Sequence, residues 1–298
     1  SLRRAAIRVA SRLARPIYRS WLQNPYNDIR DMYLKRWITG LIALPFLVFF
    51  IYRGEMWFLL LVAAAAELGL WEYFRIVLKQ EEKIVAALPL LGFLTAAGLL
   101  WAAFKGVPDL MAAVLAFNLM AGGLLTVLQF GTLPEALKTL AKQTLGIAYV
   151  PLFVSFLVLI RNGSDGMGWI FFLLFIVFAG DTSALYVGSF YGRHKLSPAV
   201  SPGKTIEGSL GGLAANLIFG ALAKVLFLPG LTWPQTLLCS LLIGAAGQVG
   251  DLFESMLKRS SKVKDSGALL PGHGGILDRI DALLFAAPVA YFLKVFIL

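Results

Sequence analysis

Between Gly250 and Asp281 an otherwise apolar chain gathers Asp251, Glu254, Lys258, Arg259, Lys264, Asp265, His273, Asp278, Arg279 and Asp281. Asp251, Glu254 and Lys258 recur at helical spacing, so one helix face carries two carboxylates and a cation. The run Pro271 to Gly275 lets backbone N–H groups approach an anion closely, and Asp278 and Asp281 follow one helical turn apart. Carboxylates therefore converge from two sides of a turn. Hard oxygen donors of this kind suit Mg²⁺, which takes one or two carboxylates and completes its shell with water and substrate phosphates. The Lys, Arg and His neighbours are then phosphate partners. The competing interpretation is a solvated loop between two membrane helices. Two acidic clusters flanking a Gly-rich turn, in a chain with only 17 acidic residues, favour the metal-phosphate site.

A second constellation runs from Ala179 to Gly208. Asp181 lies between two apolar stretches, where an ionisable side chain marks function, with helix packing against Thr182 or Ser183 as the alternative. The Gly203-Lys204-Thr205 triplet is not a P-loop, because the position five residues before Gly203 is Pro198. It reads instead as a short SPGKTxEG loop in which Ser201, Lys204 and Thr205 reach a phosphate. Glu207 sits near the start of the following helix, where the dipole favours anions.

From Ser255 to Asp281 the sequence fills the pattern SxxKRxxxxKDxxxxxPGHGGxxDRxD, which resembles the signature of the phosphatidate cytidylyltransferases (CDP-diacylglycerol synthases). SPGKTxEG is similar to a second element of that family, with Gly203 standing where Lys is common and Ile206 where Trp is common. The resemblance implies a membrane enzyme that makes CDP-diacylglycerol and pyrophosphate from CTP and phosphatidate at a Mg²⁺-dependent site. Asp251, Asp278 and Asp281 are the expected metal ligands, and Lys258, Arg259, Lys264, His273 and Arg279 the expected phosphate partners. Asp265 would orient those cations or join a second cation position. Asp181, Ser201, Lys204, Thr205, Glu207 and Ser255 are expected to bind substrate. A CTP-dependent lipid kinase is the near alternative and a secondary transporter the distant one; the DGxxAR element of CDP-alcohol phosphotransferases is missing.

The elements that must position these residues are membrane helices. With 58% hydrophobic and 15% charged residues and a mean hydropathy of +0.76, the chain is too apolar for an ordinary soluble domain. An all-α, polytopic integral membrane protein follows, with about nine apolar runs near the length that crosses a ~30 Å hydrocarbon layer. These are 37–52, 56–78, 84–104, 107–130, 145–160, 168–190, 209–228, 233–257 and 280–298. Alternate loops divide the Lys and Arg residues 22 to 5. The richer side, which holds the N-terminus and both chemical loops, is expected to face the cytoplasm of a bacterial-type inner membrane. The net charge of +10 is accounted for by that asymmetry, without a nucleic-acid partner. Residues 1–36 form a basic segment, either amphipathic on anionic lipid, a flexible tail, or a transit peptide; residues 37–298 form one transmembrane domain. Cys239 is the single cysteine, which leaves no intramolecular disulfide. Glu67 and Glu72 fit an interfacial belt as well as a polar cavity and stand outside the expected site. The acyl chains of the substrate are expected to stay in the bilayer, reached through a cleft that opens sideways. A homodimer is left open.

Overall fold

A computed structural model describes residues 41, 43–78, 87–132, 135–267, 269 and 274–297. The basic segment 1–36 and His273 lie outside the described residues. The described helices are α1 (Ala43–Arg53), α2 (Glu55–Val77), α3 (Ala87–Lys105), α4 (Pro108–Gln129), α5 (Ala136–Asn162), α6 (Gly166–Tyr191), α7 (Ile206–Phe227), α8 (Trp233–Ser260) and α9 (Leu277–Ile297). All but α1 are long and apolar enough to cross a membrane. The protein is an all-α, polytopic membrane protein, with one two-stranded antiparallel hairpin, β1 (Lys195–Ser197) and β2 (Ser201–Thr205).

Local chemistry explains the helix boundaries that matter. α8 starts at a capping box, where the Thr232 hydroxyl accepts from Gln235 N and the Gln235 side chain accepts from Thr232 N. α7 starts on Thr205, whose hydroxyl accepts from Gly208 N at 3.1 Å. The apolar run at 145–160 proves to be the second half of α5, which begins at Ala136. Its first turns carry Thr139 and Gln143, polar residues that hydropathy alone does not assign to a span, yet both are buried. Gln143 Nε2 donates to Asn118 Oδ1 of α4 at 2.8 Å, and Thr95 Oγ1 of α3 donates to the same oxygen at 3.1 Å. A buried polar knot thus ties α3, α4 and α5 where apolar side chains gain little by avoiding lipid.

The second half packs through small residues. Gly180, Ala184 and Gly188 of α6 meet Gly208 and Gly212 of α7, at the four-residue spacing that lets two backbones approach. α8 and α9 meet at Gly250, where a Cβ would lie 2.5 Å from the carbonyl oxygen of Asp281. That contact sets Asp251 of α8 beside Asp281 of α9. Gly250→Ala should therefore separate the two helices, destabilise the protein by about 1–3 kcal/mol and lower turnover. Thermal unfolding and activity of the purified variant check both effects.

Candidate functional site

The hairpin exists to aim Lys204. Pairing Lys195 with Thr205 and Ser197 with Ser201 holds β2 beside the ends of α6 and α8, and Lys204 Nζ forms an ion pair with Asp251 Oδ2. Both side chains are partly open, lining a cavity of about 330 Å³ together with Asp181, Ser201, Thr205, Ser209 and Gln248. Asp181 is exposed to it. Gln248 Nε2 donates to the Ser209 carbonyl at 2.9 Å, and the Ser209 hydroxyl bonds Gln248 Oε1, fastening α7 to α8 along the wall. The cavity thus combines an ammonium, hydroxyls and carboxylates, the set needed for an anionic substrate and a hard cation.

Behind this cavity lies a buried charge network. Lys258 Nζ donates to Asp278 Oδ1 at 2.7 Å, joining α8 to α9. It also forms an ion pair with Glu254 Oε2 one turn away. Asp278 accepts further from Ser266 N at 3.1 Å and Gly275 N at 2.9 Å. Its oxygens are thereby occupied with holding Ser266 and Gly275 at the start of α9. Asp281 accepts from Ala282 N at 2.7 Å. Asp181, Asp251 and Asp281 lie within electrostatic range of one another. Among the described residues no three His, Cys, Asp or Glu side chains form a ready-made metal cage.

The most deeply engaged carboxylate is one that falls outside the sequence expectation. Glu72 of α2 is fully buried rather than in an interfacial belt, and accepts from Ser266 Oγ at 3.1 Å, Ile276 N at 3.1 Å and Leu277 N at 2.8 Å. It satisfies the first N–H groups of α9 from another helix, where negative charge is also favoured by the dipole. The loop closes on it because Gly275 has no Cβ; one added there would lie 2.4 Å from Glu72 Oε2. No local spacing links residues some 200 positions apart, so only the intramembrane Glu itself signalled this role.

The remaining expected residues take differing positions. Glu207 faces the turn before β1, accepting from Arg193 N at 3.1 Å and pairing with His194 Nδ1 at 2.6 Å, and is not part of the cavity wall. The SPGKTxEG segment is a strand running into a helix rather than a loop, and Thr205 uses its hydroxyl oxygen as the N-cap. Arg259 Nε reaches the Val200 carbonyl at 3.4 Å, tying the end of α8 to the hairpin. Lys264, Asp265 and Arg279 are exposed on the loop side, and Ser255 is half-buried on α8 beside Glu254.

Charged side chains of a bundle of membrane helices converge on a cavity beside α6 and α8, an arrangement suited to an anionic substrate. The cytidylyltransferase family model matches residues 34–297, and the chain belongs to that family. It is 33% identical over 270 residues to the phosphatidate cytidylyltransferase of Bacillus subtilis, covering 87% of this chain and 96% of that protein. With the phosphatidate cytidylyltransferase of Pseudomonas aeruginosa it shares 37% identity over 269 residues, 87% of this chain and 95% of the other. A Staphylococcus aureus relative of the same name is 43% identical over 146 residues, 49% of this chain and 55% of that one. The protein is accordingly a nucleotidyltransferase.

Glu72→Ala should leave Ser266 Oγ and two backbone N–H groups without an acceptor. Since each buried orphan costs about 1–3 kcal/mol, the variant should unfold at a clearly lower temperature. Amide exchange at Ile276 and Leu277 should be faster than in the wild type.

Proposed function

We propose that the protein is a phosphatidate cytidylyltransferase, making CDP-diacylglycerol and pyrophosphate from CTP and phosphatidate. The observation that carries this reading is the ion pair from Lys204 to Asp251, which joins the SPGKTxEG element to the acidic face of α8 on one cavity. The printed activity of relatives matched over nearly their whole length supports the same substrates. The orientation follows the division of Lys and Arg, with the hairpin and the loop after α8 on the cytoplasmic side, where CTP is available. Nine crossings are proposed, α1 being the short first one. The acyl chains stay in the bilayer, and nucleic acid has no part; a homodimer is compatible with this arrangement.

The phosphate of phosphatidate is already an oxygen nucleophile. An oxygen of its phosphate attacks the α-phosphorus of CTP, the bond to the β-phosphate oxygen breaks, and pyrophosphate leaves with the electron pair. The protein has to align two anions and neutralise them, with no covalent intermediate on the enzyme. Lys204 and the hydroxyl of Ser201 would meet the phosphates from the hairpin side; Arg259, Lys264 and Arg279, which are exposed, and His273 by its residue type are the further phosphate partners proposed, while Lys258 would serve them through its pair with Asp278. The donor chemistry fits Mg²⁺, because Asp181, Asp251 and Asp281 are hard oxygen donors that crowd like charges together. Asp251 and Asp281 would hold the ion, with water and substrate phosphates completing its shell. Asp278, expected as a third ligand, is assigned instead to orienting Lys258 and closing the loop, since its oxygens already have donors. When bound, Mg²⁺ supplies charge stabilisation to the nucleotide phosphates. A second cation position remains part of the proposal through Asp265.

In mixed micelles containing phosphatidate and CTP, purified protein should form CDP-diacylglycerol with Mg²⁺ and lose turnover in EDTA. Asp251→Asn and Lys204→Ala should each lower turnover by at least about 100-fold while the protein stays folded. Folded wild type that makes no CDP-lipid, but phosphorylates a lipid alcohol with CTP, would establish the lipid-kinase alternative.

A further inference from the structure

A second cavity, of about 420 Å³, lies between α1, α6 and α7 and has no part in the mechanism above. Leu47 and Val48 of α1, Phe171, Phe175 and Phe178 of α6 and Phe219 of α7 form its walls, and no charged side chain lines it. Part of the α6 wall is held from behind, since Phe171 and Phe175 pack on Phe227 with ring centroids 5.1 Å and 5.2 Å apart. At one end the wall changes to Thr182 and Ser183, which follow Asp181 of the polar cavity directly. Helix hydroxyls at such depth commonly turn back to a carbonyl of their own helix, as Ser240 does to Thr236 at 2.7 Å. Thr182 and Ser183 make no such bond, nor any other, among the described residues.

The two cavities are joined along one helix face. Phe178, Thr182 and Leu185 recur at intervals of four and three residues and are all exposed; the first two line the apolar cavity and the third the polar one. From the hairpin end inward, α6 thus presents Ser189, Leu185 and Asp181, then the hydroxyls of Ser183 and Thr182, then three phenylalanines. That is the order of chemistry in a phosphatidate from head to tail: phosphate, ester carbonyls, hydrocarbon. Residues 171 to 182 cover about 16 Å of helix at 1.5 Å per residue, which is the length that one leaflet of a ~30 Å hydrocarbon layer spans.

We propose that this groove binds one acyl chain of the substrate, with Thr182 and Ser183 donating to ester carbonyl oxygens while the phosphate lies in the polar cavity. The inference rests on the lipid substrate of the proposed function. Water is scarce at this depth, so an ester carbonyl is the acceptor that satisfies hydroxyls facing hydrocarbon. The phenylalanine wall then recognises the length of chain that follows.

The test is turnover of the full chain in mixed micelles, with KM measured for dioleoyl-phosphatidate, dihexanoyl-phosphatidate and a long-chain dialkyl ether phosphatidate. Val48→Trp fills the groove from an exposed position of α1. It should raise the KM for dioleoyl-phosphatidate about 10-fold and leave those for dihexanoyl-phosphatidate and CTP unchanged. Thr182→Val combined with Ser183→Ala should raise the KM for both ester lipids about 5-fold, with the ether lipid as in the wild type. Leu124→Trp adds similar bulk to an exposed position of α4 and should alter none of these values. An equal rise for long and short chains in Val48→Trp overturns the inference, since the damage would then be general. An unchanged KM for dioleoyl-phosphatidate in either groove variant overturns it as well. Wild type that makes no CDP-lipid from any of the three overturns it together with the proposed function.

Discussion

The site depends on a buried ion pair between two helices. Lys258 of α8 and Asp278 of α9 meet at 2.7 Å with side chains only 16% and 9% exposed, and Glu254 shares the same ammonium. Two charges taken out of water gain little net stability from each other, but removing one leaves the other without compensation. The pair therefore acts as a constraint on geometry. It fixes the rotation of α8 against α9, and the contact at Gly250 fixes their separation. Asp251 and Asp281 are then presented to one another without either having to be the glue.

Two further attachments turn this helix pair into a site. Glu72 reaches from α2 to Ser266 and the start of α9, so the first half of the chain determines where these residues lie. Carboxylates, from Glu72 and Asp278, occupy the positive end of the α9 dipole. From the other direction, the hairpin after α6 delivers Lys204 to Asp251. The close approach of α6 and α7 through Gly180, Gly188, Gly208 and Gly212 brings Asp181 and β2 near enough to share a cavity. Positive charge thus reaches the cavity from the hairpin through Lys204, and negative charge from the helix faces that carry Asp181 and Asp251.

Much of this was legible in the residues and their order. The apolar runs marked the helices, and the density of charge between Gly250 and Asp281 marked the candidate site, because ionisable groups in a membrane helix are expensive unless used. The span of α5 was only half legible: its first turns look polar, and only the knot with Asn118 and Thr95 makes a buried helix of them. The hairpin was read as a loop, since three- and five-residue strands leave too short an alternation to detect. Glu72 was weighed for a polar cavity but left outside the expected site, because its partners are far away in sequence. The four-residue glycine spacing of α6 and α7 was present in the sequence and carried a packing signal that hydropathy does not weigh.

The most direct test of the central constraint is a double-mutant cycle on unfolding of the detergent-solubilised protein with Lys258→Met and Asp278→Asn. If the pair locks α8 to α9, each single variant should lose roughly 3–5 kcal/mol, and the double variant should lose far less than the sum. Losses that add within about 0.5 kcal/mol would contradict the account, because Lys258 and Asp278 would then act independently and something else would hold the two helices in register.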